Sequence, residues 1–458
     1  MNRIRTAAVL AASLMLATAS CSVSSDSDDT TSSSTATTAE VTTSETASTD
    51  AVDTTQAATT EPTTPPTTIE VRGVSADSIK LGVALIDVDA VKEQFGVDLG
   101  HIPEGIAEAL AEQINAAGGI NGRNVEVVVR KFLPVGSESS ETACRELIED
   151  EQVYAVLGSF LGDAGLCVTE THATPYFAGF GLNEERQQRS QAPFLSIEGD
   201  ALSASIQKAI DTGVLADHKV AVYFESDTAQ SVIDTKVVAP LEAAGIEVVS
   251  QAQLPSSGDA VQAANDIDVI FQRFQADGAD ALVSVSGATV LLPALERTEW
   301  RPQLVFTNGQ FTSDGGLDNL GLTDYSRLDG AVAISMSLLS KDLVDDQQLL
   351  ECLDAVNTST GTDYTTDDIF DPSQKPNSRQ IGMVPGLCQV WDMTVAVLTA
   401  AGANLSPNGL LAGLDQVGTF PIPGYPEAEL SSTRWGAVDS VRLWHFDEAT
   451  HAFVPDAG

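Results

Sequence analysis

The chain has 458 residues, 43% of them hydrophobic, enough for two or three domains with substantial cores, so a wholly disordered protein is excluded. Asp and Glu number 65 against 23 Lys and Arg; the formal charge of -42 repels polyphosphate and anionic headgroups and argues against nucleic acid as a partner. Five cysteines are too few for a disulfide scaffold, and the acidity suits the solubility of an exported protein.

Met1, Asn2, Arg3, Ile4 and Arg5 precede the apolar run TAAVLAASLMLATAS, which is short for a membrane span and has the order of a secretory signal over residues 1–20. After it no stretch is apolar for 18 residues or more. Thr18, Ala19 and Ser20 before Cys21 resemble the lipobox of bacterial lipoproteins, which implies that Cys21 is lipidated and becomes the first mature residue. Ser22 to Glu70 is Ser, Thr, Ala and acid, with prolines near its end and no Lys, Arg or aromatic, so it cannot bury a core. Residues 21–75 are therefore expected to be a lipidated cysteine and a disordered tether, in which Ser22 to Glu70 spans roughly 35 to 42 Å root-mean-square as a flexible coil.

From Ile79 onward, short runs of Val, Ile and Leu alternate with helical patterns, the form of βαβ units on a mostly parallel sheet. Strands are predicted at Ile79–Leu85, Asn124–Phe132, Tyr154–Ser159 and Pro175–Phe180. Between the first two, Ile106, Leu110, Ile114 and Ala117 mark one apolar face of a helix closed by Gly118 and Gly119. A second series follows from Asp200, with strands at Lys219–Phe224, IEVVSQ after Gly245, Ala281–Ser286 and Gln303–Asn308. INAAGGINGRNVEVVV and LEAAGIEVVS both close a helix with Ala-Ala-Gly and open a strand, which suggests two similar α/β lobes. In open parallel sheets ligands sit beyond the carboxyl ends of the strands, so two such lobes imply a cleft that holds a small molecule.

The strand IKLGV, the block EGIAEALAEQINAAGGINGRNVEVVV, the segment CRELIEDEQVYAVLGS and the later KVAVYFESD and VFTNGQF together resemble type I periplasmic binding proteins of the branched-chain amino acid (Leu/Ile/Val) family of ABC transporters. The resemblance runs from about Ser78 to the C-terminus. It implies two Rossmann-like lobes joined by a hinge of three crossovers. Lobe one is expected at 76–196 plus about 331–430, including Asp329 to Leu338 and a helix around Val384 to Ala401. Lobe two is expected at 197–330 plus about 431–458. The resemblance also implies a disulfide between Cys144 and Cys167, leaving Cys352 and Cys388 to pair with one another or to stay as buried thiols.

No nucleophile elbow, phosphate loop, zinc motif or calcium loop occurs, so neither catalysis nor a metal or other cofactor is expected. Gly158-Ser159-Phe160-Leu161-Gly162 reads either as a tight βα turn or as a hydroxyl with free backbone N–H groups that hold a ligand carboxylate. The resemblance favours a ligand contact at Ser159, with Phe160, Gly179 and Phe180 beside it; the family's hydroxyl position after the fourth strand is Gly179-Phe180-Gly181 here. Glu225, Asp227, Ser286 and Gln310, at or past strand ends, are the second-lobe candidates. The expected function is that of an extracytoplasmic solute-binding lipoprotein, held on the outer face of the cytoplasmic membrane through its lipid alone. It would capture a small polar solute, an amino acid or a related compound, for the permease subunits of an ABC importer. The alternative is a ligand-sensing receptor domain that signals to a partner protein.

Overall fold

The computed structural model describes residues 71–456 apart from 96–99, 135–136, 161, 226–227, 256–259, 286–290, 310–311, 313–316, 318–321, 337, 339–342, 371–380 and 382. The signal, Cys21 and residues 22–70 of the tether lie outside the described residues, as do Asp227, Ser286 and Gln310, whereas residues 71–75, expected in the tether, are folded against the first sheet: Arg72 Nε donates to the Val153 carbonyl at 3.0 Å and the Lys80 N–H to the Gly73 carbonyl at 2.8 Å.

The apolar runs form strands because both of their faces find helices to bury against. In β1 (Ser78–Ile86), Ile79, Leu81 and Val83 face one core. In β3 (Ala155–Gly158) and β4 (Tyr176–Ala178), Leu157 and Phe177 share that core while Val156 and Tyr176 enter a second one on the opposite face. With β2 (Asn124–Phe132), β5 (Phe194–Glu198) and β13 (Gly436–Val438) they make a six-stranded sheet in the order β13-β5-β4-β3-β1-β2, parallel throughout. Side chains alternate across a strand, so a run apolar at every position marks burial on both sides.

The second sheet repeats the logic. It contains β6 (Lys219–Glu225), β7 (Glu247–Leu254), β8 (Ala281–Ser284), β9 (Gln303–Phe306), β10 (Val332–Ser335), β14 (Arg442–Asp447) and β15 (Ala452–Pro455), in the order β15-β14-β10-β9-β8-β6-β7. Tyr223, Leu282 and Phe306 face one core and Val222, Val283 and Val305 the other. The two Ala-Ala-Gly segments end their helices in the same way: the Gly119 N–H donates to the Ile114 carbonyl at 2.9 Å, and the Ile246 N–H to the Leu241 carbonyl at 3.0 Å. These six-residue closures are Schellman bonds that satisfy carbonyls of the last helical turn. The described residues are thus an α/β molecule of two large sheets, each with a core on either face, and one small two-stranded sheet.

Three boundaries differ from those expected. β10 belongs to the second sheet, beside β9 and antiparallel to β14, because Ala333 and Ile334 are buried in the two cores of that sheet. Residues 332–335 therefore stand in the second sheet rather than in lobe one. β13 lies in the first sheet beside β5, so the last crossing follows Val438 rather than residue 430. The unexpected strand β5 straddles the predicted boundary at 196, and the first crossing follows Glu198. A further hairpin, β11 (Thr419–Ile422) with β12 (Tyr425–Glu429), packs Phe420, Ile422 and Ala428 into the first-lobe core.

The first and last crossings touch through their backbones. The Gly199 N–H donates to the Val438 carbonyl at 2.9 Å, and a Cβ on Gly199 would stand 2.9 Å from that same carbonyl oxygen as well as against the Asp439 carboxylate, so the close approach favours glycine. The helix Val384–Ala401 is long and apolar enough to cross a membrane. It instead buries Val390, Trp391, Met393, Val397 and Leu398 in the first-lobe core, which accounts for its composition.

Candidate ligand-binding site

β3 ends at Gly158, whose φ of 136° brings the chain so close to β1 that a Cβ would stand 2.2 Å from the Ala84 carbonyl oxygen. This turn delivers Ser159 into a cavity of about 290 Å³ at the carboxyl ends of β1, β3, β4 and β5. Ile86, Gly179, Phe180, Ile197 and Glu198 line it from the sheet side. The opposite wall comes from the start of the helix Val384–Ala401, through Leu387 and Gln389, and from Tyr425 of the hairpin. All lining residues belong to the first lobe.

The polar groups around Ser159 are largely occupied by one another. The Gly179 N–H donates to Ser159 Oγ at 3.0 Å, which leaves the serine proton to point elsewhere. The Phe160 N–H donates to the Tyr176 hydroxyl at 2.7 Å. Full burial pushes the Tyr176 hydroxyl well above its ordinary range, so it remains a neutral acceptor at any physiological pH. At the other end of the cavity, enclosure pushes the Glu198 carboxyl above the usual carboxylate range although water still reaches the side chain. Tyr425 joins the site to the hinge: its hydroxyl donates to the Met336 carbonyl, at 2.7 Å, on the second crossing.

Of the first-lobe candidates, Ser159, Gly179 and Phe180 come together on this cavity. Phe160 does not. Its ring is 2% exposed and sits in an aromatic run behind the sheet, 4.9 Å from Phe132 and 5.9 Å from Tyr176, so it is a core residue. An apolar ring of this size gains more from burial between two rings than from a half-wet cleft. Glu225 ends β6, half-buried, and accepts from the Tyr223 hydroxyl at 3.2 Å. The second sheet presents buried hydroxyls at or just past its strand ends, Ser284, Thr307 and Ser335, and Ser335 is bonded at 3.0 Å to the buried Thr312 of the segment after β9. Glu198, Gln389 and Tyr425 were not anticipated. Glu198 obeys the same strand-end rule as Ser159, and recognising FLSIE as a strand would have found it.

The cysteines form two disulfides, Cys144–Cys167 and Cys352–Cys388. Cys144, Cys167 and His172 cluster closely enough to suggest metal ligands. The two sulfurs are already bonded to each other, however, so no thiolate is available to a metal.

The profile of the family described as periplasmic binding protein matches residues 106–336, from the first sheet's second helix to the end of β10. No curated protein matches the chain. Among solved structures, similarity extends to an ABC transporter substrate-binding protein from Desulfitobacterium hafniense in complex with Leu, at 15% identity, TM-score 0.53, covering 83% of this chain and 100% of that one. A solute-binding protein of an ABC transporter from R. palustris, in complex with 4-hydroxybenzoate, is 16% identical, TM-score 0.55, with coverage of 83% and 96%. A periplasmic binding protein type 1 from Bordetella pertussis Tohama I is 14% identical, TM-score 0.56, with coverage of 83% and 100%. At these identities the structures speak for the fold, while the family profile, which takes in just over half of the sequence, speaks for descent. The chain belongs to the periplasmic binding protein family.

Proposed function

We propose that the protein is an extracytoplasmic, lipid-anchored solute-binding protein that encloses a small organic solute between its lobes and delivers it to an ABC importer. The observation that supports this reading best is the cavity at four parallel strand ends of the first lobe, with Glu225 and a set of hydroxyls at the corresponding strand ends of the second. Asp227, Ser286 and Gln310 are proposed as further contacts from the second lobe. A solute that touches both walls binds the closed form better than the open one, and only that difference can drive closure. Relatives in complex with Leu and with 4-hydroxybenzoate make a small organic solute the natural cargo.

Mass spectrometry of what co-purifies identifies the solute, and small-angle scattering then tests closure. The radius of gyration should fall on saturation; an unchanged radius would refute the reading. Solute at 100 times its dissociation constant should also add about 2.7 kcal/mol to the folded state. The anchor has its own test. Cys21→Ser should move the protein from the membrane to the medium, and retention at wild-type level would reject lipidation.

A further inference from the structure

Resting on the solute-binding reading, we propose that Tyr425 couples the solute to the hinge: its ring is part of the solute's wall, and its hydroxyl pins the joint at which the second crossing passes between the lobes. That joint is one peptide link long. Ile334 is buried in a core of the second sheet, whereas the Met336 side chain is buried in the first-lobe core. Between them Ser335 is buried, and its hydroxyl is bonded at 3.0 Å to that of Thr312 in the segment after β9. On the other side of the link the Met336 carbonyl accepts from the Tyr425 hydroxyl at 2.7 Å. A hinge turns on the few backbone dihedrals that its surroundings leave free. With Ser335 tied to the second lobe and Met336 to the first, turning at this crossing is confined to the link between them.

Tyr425 can hold Met336 because the hairpin that carries it is itself fixed. Phe420, Ile422 and Ala428 anchor the hairpin in the first-lobe core. Its tip is bonded twice more: the Pro423 carbonyl accepts from the Gln389 side chain at 2.8 Å, and the Gly424 N–H donates to the Asp346 carboxylate at 2.9 Å. Among the described residues, Tyr425 alone lines both the solute cavity and a second cavity of about 310 Å³, where Met336 meets Val438, Asp439 and Ser440 of the third crossing. Met336 lines the second cavity and not the first, so a phenol that lets go of its carbonyl swings toward the solute's side. A solute packed against the ring takes away that room and keeps the joint pinned.

Hydrogen–deuterium exchange of the peptide that carries Met336 reads how often the joint opens. In the Cys21→Ser protein, stripped of bound solute, Tyr425→Phe keeps the ring and removes the bond. Exchange there should become roughly threefold to tenfold faster, the size of one hydrogen bond, while peptides from β3 and β8 keep their rates. A probe of known size then stands in for the solute. On the same background Ser159→Cys supplies a free thiol in the cavity, and benzyl methanethiosulfonate joins a benzylthio group to it with release of methanesulfinate. The tethered ring should slow exchange at the Met336 peptide at least about threefold when Tyr425 is present, and should have no effect there after Tyr425→Phe, with circular dichroism native throughout. An unchanged rate in Tyr425→Phe, no slowing by the tethered ring, or slowing that survives Tyr425→Phe would each overturn the proposal. None of these rates depends on which solute binds, so the solute-binding reading stands or falls separately on its scattering test.

Discussion

Asp392→Asn should make the protein more stable at pH 8 and leave it almost unchanged at pH 4. Asp392 lies in the middle of the helix Val384–Ala401, and its carboxyl is pushed up from 3.8 to about 7, first by burial and then by the nearby charges of Glu351 and Asp346. Those two acids are held in place: Asp346 accepts from the Leu349 and Gly424 N–H groups, both at 2.9 Å, and Glu351 accepts from Gln347 at 2.8 Å. They cannot easily turn away from Asp392. The unfolded chain releases this proton near pH 4, whereas the folded protein keeps it to about 7, so across that window the folded state holds the extra proton. Stability is fully present below pH 4 and falls as the pH rises through 7. At about 1.4 kcal/mol per pH unit the upper bound is roughly 4 kcal/mol, and a half-buried side chain that water partly reaches should realise about half of it. Asparagine keeps the shape and removes the charge. Thermal melts of wild type and variant from pH 4 to 8.5 should therefore diverge steadily above pH 5, and parallel curves would refute the assignment.

The sequence made this architecture legible where burial is two-sided. Runs such as YAVLGS and KVAVYF are buried on both faces, and their predicted and observed limits coincide to within a residue. β5 was missed because Ser196 and Glu198 break its apolar run, yet Ser196 is fully buried with its backbone N–H donating to the Trp435 carbonyl at 2.9 Å. The hairpin was missed because Pro421, Pro423 and Pro426 read as loop, although edge strands tolerate proline where no ladder bond is needed. β10 was expected in the wrong lobe because its neighbours in space, β9 and β14, lie before and long after it in sequence. The cavity was half legible. Ser159 follows from the strand-end rule, but Gln389 and Tyr425 arrive from distant segments whose approach no local pattern records. Phe160 was misassigned for the same reason: Phe132, Tyr176 and the space between them are not adjacent in the chain.

The two disulfides should separate stability from binding. Cys144–Cys167 spans 23 residues and Cys352–Cys388 spans 36, and the chain-entropy argument assigns each about 3 to 4 kcal/mol. Replacing either pair with alanine should therefore lower the melting temperature by a comparable amount. Their places in the fold differ. Cys144 belongs to the aromatic core behind the sheet, with Phe160 and Tyr176, and neither it nor Cys167 lines the cavity. Cys388 stands between Leu387 and Gln389, both of which line the cavity, and its bond to Cys352 pins that helix to the helix Gln347–Thr360. Without this bond the cavity wall is held by packing and a few hydrogen bonds, such as that of Gln389 to the Pro423 carbonyl at 2.8 Å, and a loosened wall costs affinity because ordering it again opposes binding. The double variant Cys352→Ala/Cys388→Ala should accordingly lose solute affinity several-fold at a temperature where it is still fully folded, while Cys144→Ala/Cys167→Ala should keep it. Titration of the co-purifying solute into each variant, well below its melting temperature, makes the comparison; equal affinity in both would show that the Cys352–Cys388 bond stabilises the lobe without positioning the wall.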